Sequence, residues 1–383
     1  MRIGLDYRPA LVNREGIGRY TRELVRALHG LNFDPNLGLF GYTLRSPRYS
    51  KSDLGLEQSR AELLRMRLPS RILPWLLAKM HKGVDDLVGG CEVYHHTQPN
   101  LLPVREAKEV VTIFDCIPAL DADNPEGPGY MEPTTALRMT ATAKEMTARA
   151  QRVLVPCRYV GAEVVMSLGV SPERVFVTPL GCDHVLQHLP PGGFPAASTP
   201  FILTVSRVDR RKNHLRMLQA FEHLVRDGFP HRWLVAGSAG YGGEDFETAL
   251  SRSPVADRVD WRREVSDAEL VRMYCQADLL LWPSLNEGFG LPPVEAMACG
   301  TPVVSSIVTA IPEVCGDAAL LVEPTDVEQI FEAMRSLLSD EGMRQEYIER
   351  GSRRARKLTW TECARTTLLA YQSALDAKSP SRA

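Results

Sequence analysis

The sequence predicts an α/β protein made of two consecutive doubly wound parallel sheets. Short apolar runs alternate with amphipathic helical patterns along most of the 383 residues. The alternation stops at Leu189–Pro200, which is rich in Pro, Gly and Ala, and it restarts at Phe201. In residues 277–305, two apolar runs enclose a glycine-rich turn and a short helix, which is typical of the carboxyl edge of such a sheet.

The first half begins with a strand at Arg2–Asp6, a loop containing Gly16 and Gly18, and an amphipathic helix at Arg19–His29. Further strands are predicted at Leu37–Thr43, Glu92–His95, Val110–Asp115, Arg152–Pro156 and Val175–Leu180. Further helices are predicted at about 58–66, 71–88, 134–150 and 157–168. We therefore expect residues 1–188 to form an N-terminal domain, followed by an interdomain linker at 189–200.

The second half repeats the alternation, and we expect residues 201–358 to form a second domain. Strands are predicted at Phe201–Ser206, Arg232–Gly237, Ala277–Ser284, Thr301–Ser305 and Ala318–Val322. Helices are predicted at His214–Asp227, 267–276, 326–338 and 341–357, with Ser266 and Glu269 as a capping box. A last helix is expected at 359–378 and a disordered tail at 379–383.

Composition and charge exclude several classes of protein. The formal net charge of -2 argues against a nucleic-acid-binding protein. Eight scattered cysteines without a CxxC pair indicate reduced thiols and a cytoplasmic location. A chain that starts directly with a strand is expected to have no signal peptide, and no stretch approaches the roughly 20 apolar residues that a membrane span needs.

The turn after the strand Ala277–Ser284 predicts an anion-binding site. Glu287 precedes the glycine-rich run Gly288, Phe289, Gly290 and Leu291, whose backbone N–H groups lie at the start of a helix. Free amides at a helix N-terminus favour a bound anion. Glu295 follows on the same short helix, where it is also an ordinary first-turn glutamate favoured by the helix dipole.

A second turn supplies cations. Arg207 lies where the strand Phe201–Ser206 ends, and Lys212 lies just before the next helix. A guanidinium and an ammonium group suit a diphosphate, although the same residues are also compatible with a solvated surface turn. Holding negative charge that grows in a transition state accelerates a reaction.

Four segments together resemble the retaining glycosyltransferase family 4. They are Gly16–Thr21, residues 113–118, Ser206–Asn213, and the glutamate pair Glu287 and Glu295 with its flanking glycines. The resemblance covers nearly the whole chain and implies the GT-B fold, in which two Rossmann-like domains face a cleft. It also implies an N-terminal acceptor domain, a C-terminal nucleotide-sugar-binding domain, and a last helix that crosses back to the N-terminal domain.

The resemblance implies roles for these residues. Arg207, Lys212 and Glu287 would serve catalysis, with Glu287 also binding sugar hydroxyls and Glu295 binding the ribose. The donor site would be completed by Gly288, Phe289, Gly290, Leu291, Gly16 and Gly18. No metal or other cofactor is expected, and Asp121-Ala122-Asp123, placed in a Pro- and Gly-rich loop, is not expected to bind one.

Phe114 departs from the family pattern, which usually has histidine before the aspartate at Asp115. That histidine is expected to reach the C6 hydroxyl of the donor sugar, and phenylalanine cannot hydrogen-bond it. One hypothesis is therefore a 6-deoxyhexose or pentose donor. The alternative is that Asp115, His95 or His96 replaces the histidine.

The composition of residues 60–82 is typical of a segment that contacts an anionic membrane. Their basic and apolar members are Arg60, Arg65, Arg67, Arg71, Lys79 and Lys82, with Leu63, Leu64, Leu68, Ile72, Leu73, Trp75, Leu76 and Leu77. Such a composition suits a helix lying in the membrane interface. It equally suits two helices that pack their leucines on the sheet and leave their arginines in water.

The resulting functional hypothesis is transfer of a hexose or 6-deoxyhexose from a nucleotide-diphosphate sugar, with GDP-mannose or a 6-deoxy analogue favoured. The acceptor would be a glycan or lipid-linked saccharide in polysaccharide or lipopolysaccharide biosynthesis. Two alternatives remain open: a sugar-nucleotide epimerase or phosphorylase on the same scaffold, and a non-catalytic partner subunit.

Overall fold

The computed structural model describes residues 1–13, 16–31, 36–44, 54, 56, 61–69, 72–123 and 129–377. The chain divides into two compact units. Unit 1 comprises the described residues of 1–124, 133–181 and 360–383, and unit 2 comprises those of 125–132 and 182–359. The predicted disordered tail at 379–383 lies outside the described residues, as do Arg60 and Arg71.

Unit 1 is a parallel sheet with helices packed around it. Its strands are β1 Arg2–Asp6, β2 Asn36–Tyr42, β3 Glu62–Met66, β4 Val93–His96, β5 Lys108–Thr112, β6 Arg152–Val155 and β7 Val175–Val177. Its helices are α1 Arg8–Val12, α2 Ile17–Gly30, α3 Leu73–Lys79, α4 Val84–Leu87, α5 Ile117–Asp123, α6 Pro133–Arg149, α7 Arg158–Leu168 and, from the end of the chain, α15 Trp360–Asp376. A 3-10 turn spans Pro172–Arg174.

Unit 2 repeats this plan. Its strands are β8 Phe201–Val205, β9 Arg232–Ala236, β10 Val259–Arg262, β11 Leu279–Trp282, β12 Val303–Ser306 and β13 Leu320–Val322. Its helices are α8 His214–Arg226, α9 Gly243–Arg252, α10 Asp267–Gln276, α11 Leu291–Ala298, α12 Ile311–Cys315, α13 Val327–Ser339 and α14 Glu341–Ala355. Its 3-10 turns are Asp183–His188, Arg210–Lys212, Ala256–Arg258 and Gly316–Ala318.

Both sheets have the strand order of a Rossmann fold. Over the described residues, the order is β3-β2-β1-β4-β5-β6-β7 in unit 1 and β10-β9-β8-β11-β12-β13 in unit 2. The order reverses between β1 and β4 in unit 1, and between β8 and β11 in unit 2. Ligands of such sheets bind beyond the carboxyl ends of the strands at this switch point. The prediction of two Rossmann-like parallel-sheet domains is confirmed.

The last helix, α15, is anchored in unit 1 by a buried polar network. Tyr371 on α15 places its hydroxyl 2.7 Å from Nδ1 of His95, whose Nε2 lies 2.8 Å from Oγ1 of Thr112. The Tyr20 hydroxyl lies 3.1 Å from the same Thr112 oxygen. Burial, with a smaller contribution from neighbouring His96, lowers the pKa of His95 to about 3. His95 is therefore a neutral hydrogen-bonding residue of the core.

Some sequence predictions were wrong. The helix expected at about 58–66 is, in its described part, the edge strand β3, which pairs in parallel with β2 from Gly38 opposite Glu62. Its adjacent leucines fit the hydrophobic period of a helix as well as that of a strand, and pairing with β2 makes the segment a strand. The helix expected at 71–88 is interrupted between α3 and α4, where His81 has a positive φ of 51°. The helices α1, α5, α9 and α12 and the strand β10 were not predicted.

Within the described residues, no helix is both long enough and apolar enough to cross a membrane.

Candidate functional site

In unit 2, the turn between β8 and α8 is held against the turn after β11. Asn213 has a positive φ of 67° and precedes α8. Its side-chain amide donates to the carbonyl oxygens of Pro283 at 2.9 Å and Pro324 at 2.6 Å. The backbone N–H of Leu285 donates to the Arg211 carbonyl at 2.8 Å. These bonds fix two turns that flank the switch point of the sheet.

The second turn depends on Gly290, which immediately precedes α11. Gly290 has a φ of +88°, a conformation that a residue with a Cβ rarely adopts. A Cβ at this position would lie 2.7 Å from Cδ1 of Ile311 and 3.1 Å from the Trp282 ring. The backbone N–H of Glu287 is held by the Thr309 hydroxyl at 3.1 Å. The positive φ of Gly290 and the close approach of Ile311 and Trp282 explain why the turn contains glycine at this point.

Lys212 and Glu287 meet between the two turns. Nζ of Lys212 donates to Oε1 of Glu287 at 2.5 Å, and Nη1 of Arg211 lies 2.8 Å from Oε2. The Lys212 and Glu287 side chains are 11% and 8% exposed. Nζ of Lys212 also lies 4.4 Å from the centroid of the Trp282 ring, a cation–π distance. Glu287, the first glutamate of the motif, therefore binds two cations while it is largely shielded from solvent.

The electrostatics of this cluster favour an ionised carboxylate. Burial would raise the pKa of Glu287, but the neighbouring Arg211 and Lys212 outweigh burial and hold the pKa below its usual value. Burial, and after it the charge of Arg211, lowers the pKa of Lys212 although Glu287 opposes the shift. An ammonium group has three N–H donors, so Lys212 can hold Glu287 and still donate to an anion.

Arg207 lies elsewhere in the same turn. Its side chain is exposed, and its guanidinium runs alongside Gly240, where a Cβ would lie 3.1 Å from Nη2. The N–H of Gly240 donates to the Val208 carbonyl at 2.8 Å, which joins this loop to the β8–α8 turn. The exposed guanidinium is thus supported by the loop after β9.

Glu295, on α11, is 5% exposed and contacts the side chains of Tyr274 and His184. Its Oε2 accepts a hydrogen bond from the Tyr274 hydroxyl at 2.8 Å. Its Oε1 lies 3.0 Å from Nε2 of His184, on the 3-10 turn at the start of unit 2. Sequence reasoning missed Tyr274 and His184, because neither lies in the matched segments, and it passed over Arg211, which does.

In unit 1, the glycine-rich loop leads into α2. Gly16 has a φ of 51° and precedes the helix, and a Cβ on Gly18 would lie 2.0 Å from the Asn13 carbonyl oxygen. Two residues later, the Tyr20 ring contacts Phe114 edge-on, with 4.9 Å between ring centroids. The loop and the residue that departs from the family pattern are therefore neighbours.

Phe114 and Asp115 line a cavity of about 250 Å³ within unit 1. Ile17 of α2, Gln98, Arg138 and Met139 also contribute to its largely apolar wall. Oδ1 of Asp115 accepts from the N–H of Ile117 at 3.2 Å.

His95 and His96 are engaged elsewhere. Both are fully buried, His95 in the network that holds α15 and His96 with Nε2 3.1 Å from Oε2 of Glu109. They do not line the described cavity, whereas Asp115 does, beside Phe114.

Among the described residues, no group of three or more His, Cys, Asp or Glu side chains is placed to hold a metal ion. Asp121 and Asp123 lie in the last turn of α5 and not in a loop, so that part of the prediction was wrong.

Comparison with known proteins finds similarity to glycosyltransferases. Residues 193–354 match the family described as "Glycosyl transferases group 1". The chain is 27% identical to the O-antigen chain mannosyltransferase B of Escherichia coli, over 97% of this chain and 100% of that protein.

Two solved structures are similar to nearly the whole chain. The sucrose-phosphate synthase of Thermosynechococcus elongatus has a TM-score of 0.75 and 19% identity, covering 99% of this chain and 100% of that one. Anabaena HepE in complex with UDP-glucose has a TM-score of 0.70 and 16% identity, covering 97% and 99%. The protein is a glycosyltransferase with the GT-B fold, and its residues 193–354 match the group 1 glycosyltransferases, in agreement with the resemblance to family 4.

Proposed function

We propose that the protein is a retaining glycosyltransferase that moves a hexose or 6-deoxyhexose from a nucleotide-diphosphate sugar to a saccharide or lipid-linked acceptor in polysaccharide biosynthesis. The observation that carries the proposal is the Lys212–Glu287–Arg211 cluster at the switch point of unit 2. It combines a cationic group for a diphosphate with a carboxylate that can accept hydrogen bonds from sugar hydroxyls. The mannosyltransferase relative and the UDP-glucose complex of HepE support a nucleotide-sugar donor.

The chemistry breaks the bond between the anomeric carbon and the diphosphate oxygen. An acceptor hydroxyl then bonds to the same carbon on the same face, and its proton passes to the departing diphosphate. The transition state resembles an oxocarbenium ion, as in glycoside hydrolysis. Negative charge grows on the diphosphate, so Lys212 and the exposed Arg207 would stabilise the transition state more than the ground state. Glu287 would hold the sugar, and Glu295 the ribose.

A donor panel tests this proposal. The protein is titrated with GDP-mannose, GDP-rhamnose and UDP-glucose while its melting temperature is followed, and glycoside products are then assayed with saccharide acceptors. We expect at least one donor to raise the melting temperature, because a ligand that binds only the native state stabilises it by mass action. A product with an inverted anomeric configuration would refute the retaining mechanism, and failure of all donors to bind would refute the proposed donor class.

For the sugar, Phe114 favours a donor without a C6 hydroxyl. Its ring lies in a largely apolar cavity wall beside Tyr20 and cannot hydrogen-bond a hydroxyl. The mannosyltransferase relative favours GDP-mannose instead. The donor panel separates a 6-deoxy donor from GDP-mannose, because a 6-deoxy donor site should accept GDP-rhamnose at least as well as GDP-mannose.

For the acceptor side, we propose peripheral contact with the cytoplasmic face of an anionic membrane. Around α3, Trp75 is 63% exposed, and Ile72 and Met80 are also exposed. Lys79 and Lys82 are exposed beside them, and Nζ of Lys79 lies 5.3 Å from the Trp75 ring centroid. An aromatic and aliphatic surface with nearby cations suits the interface of anionic lipids.

Vesicle sedimentation tests this surface. We expect binding to phosphatidylglycerol-containing vesicles to exceed binding to phosphatidylcholine vesicles and to fall severalfold in Trp75→Ala. Met166→Ala is the matched control, because Met166 is an exposed apolar residue on α7 of the same unit, 76% exposed. Equal binding of the wild-type protein to both vesicle types would refute the proposal.

A further inference from the structure

The carboxylate of Glu295 is held from two sides. The Tyr274 hydroxyl donates to Oε2 at 2.8 Å, and Nε2 of His184 lies 3.0 Å from Oε1. The three residues come from three elements of unit 2, namely α10, the 3-10 turn Asp183–His188 and α11. Tyr274 and His184 are almost completely buried, at 0% and 4% exposure.

We infer that Tyr274 and His184 are positioning residues that aim the Glu295 carboxylate at the ribose of the donor nucleotide, which sets the preference of the site for ribonucleotides. This inference rests on the proposed function. A carboxylate offers about four lone-pair sites, so two donors leave acceptor capacity on each oxygen. A hydroxyl pair on a ribose needs two acceptors at a fixed separation, and a carboxylate free to rotate would supply them only part of the time.

The elements that hold the two donors are themselves rigid. Helix α10 begins with a capping box in which Ser266 and Glu269 satisfy each other's backbone N–H groups. The 3-10 turn containing His184 follows Cys182, whose N–H donates to the Leu358 carbonyl at 2.9 Å. Helix α11 begins at Leu291, where prolines occupy the first turn. Each donor therefore approaches Glu295 from a fixed point of the fold.

The contrast with Glu287 supports a separate role for Glu295. Glu287 binds two cations, Lys212 and Arg211, so its charge is compensated where a diphosphate would also be held. Glu295 instead binds a hydroxyl and an imidazole nitrogen. This difference suits Glu295 to binding neutral hydroxyl groups.

The test compares ribonucleotides with deoxyribonucleotides. Calorimetric titration with GDP, UDP, 2′-deoxy-GDP and 2′-deoxy-UDP gives a ribose preference for each base. We expect the wild-type protein to bind the preferred ribonucleotide about tenfold more tightly than its 2′-deoxy counterpart. The loss of one hydrogen bond to a charged group weakens binding by about this factor. The ratio should fall to about twofold or threefold in Tyr274→Phe and in His184→Leu.

Two further variants separate positioning from a general loss of stability. His184→Gln retains an N–H donor near the position of Nε2 and should keep most of the ribose preference. Thr204→Val removes a buried hydroxyl that bonds the Leu281 carbonyl at 2.8 Å and Trp233 Nε1 at 2.9 Å. It destabilises unit 2 without contacting Glu295 and should leave the ratio unchanged.

The outcomes distinguish this inference from the proposed function. A ribose preference that survives both Tyr274→Phe and His184→Leu overturns the inference and leaves the proposed function intact. A loss of preference in Thr204→Val equal to that in Tyr274→Phe also overturns it. Failure of all four nucleotides to bind the wild-type protein overturns the proposed function, and the inference with it.

Discussion

Units 1 and 2 have the same sheet plan, but the side chains at the switch point are charged in unit 2 and largely apolar in unit 1. In unit 2, the turns after β8 and β11 bring Arg211 and Lys212 to Glu287. In unit 1, the segments after β4 and β5 line a largely apolar cavity that includes Phe114. The same position in one topology therefore carries two cations and a carboxylate in unit 2 and mainly apolar side chains in unit 1. Topology gives the location of each site, and the side chains of the turns determine its chemistry.

The largest expected effect concerns the charged turn of unit 2. We expect Lys212→Ala to lower kcat/KM for the donor by about 10²- to 10³-fold, because a preorganised charge next to the departing diphosphate is lost. The rate is measured with the donor that the panel identifies, and circular dichroism confirms folding.

Arg210→Ala is the matched control for this variant. Arg210 lies two positions away in the same turn, and its guanidinium is exposed and 3.2 Å from Asp245. A change of similar size in both variants would mean that general charge in the turn, and not the position of Lys212, accounts for the effect.

The two units also differ in how much the sequence revealed. For unit 2, the spacing of Glu287 and Glu295 and the cations after β8 were predictable, because each pattern is local. The Lys212–Glu287 pair was not predictable from spacing alone, since its partners are 75 positions apart and meet only through the sheet order. The same holds for His184 and Glu295. Local patterns identify the residues, whereas long-range pairing in the sheet determines which of them touch.

For unit 1, the sequence indicated an unusual residue but not its surroundings. Phe114 stood out against the family pattern, yet the cavity is formed by residues of α2, α5, α6 and α7 together with the segments after β4 and β5. Helix α5 was not predicted, because Ile117–Asp123 is short and begins with an Ile-Pro pair. Apolar side chains from many elements have no spacing rule comparable to that of a charged motif, so the cavity required the structure.

A second prediction uses one buried histidine in each unit. Burial lowers the pKa of His95 in unit 1 and of His214 in unit 2 to about 3 each, with His96 and Lys212 as the respective second causes. The unfolded chain binds protons to these side chains near pH 6.5, so acidification favours unfolding as the pH falls from about 6.5 towards 3. At pH 5, each group costs about 2 kcal/mol of the free energy of unfolding.

Urea unfolding at pH 7.5 and pH 5.0 measures this loss. We expect His95→Gln and His214→Gln each to reduce the difference in stability between the two pH values by about 2 kcal/mol, one acting through unit 1 and the other through unit 2. A pH difference that neither variant changes would assign the acid sensitivity to other groups.

The smallest expected effect concerns the cavity of unit 1. We expect Phe114→His to raise the ratio of kcat/KM for GDP-mannose over GDP-rhamnose about tenfold, because an imidazole can hydrogen-bond a C6 hydroxyl that phenylalanine cannot. Phe114→Leu, which removes the ring but adds no donor, should leave the ratio near its wild-type value. An unchanged ratio in Phe114→His would mean that Phe114 does not contact C6 of the donor sugar. The apolar cavity would then belong to the acceptor, and the donor sugar would be recognised entirely by the charged turns of unit 2.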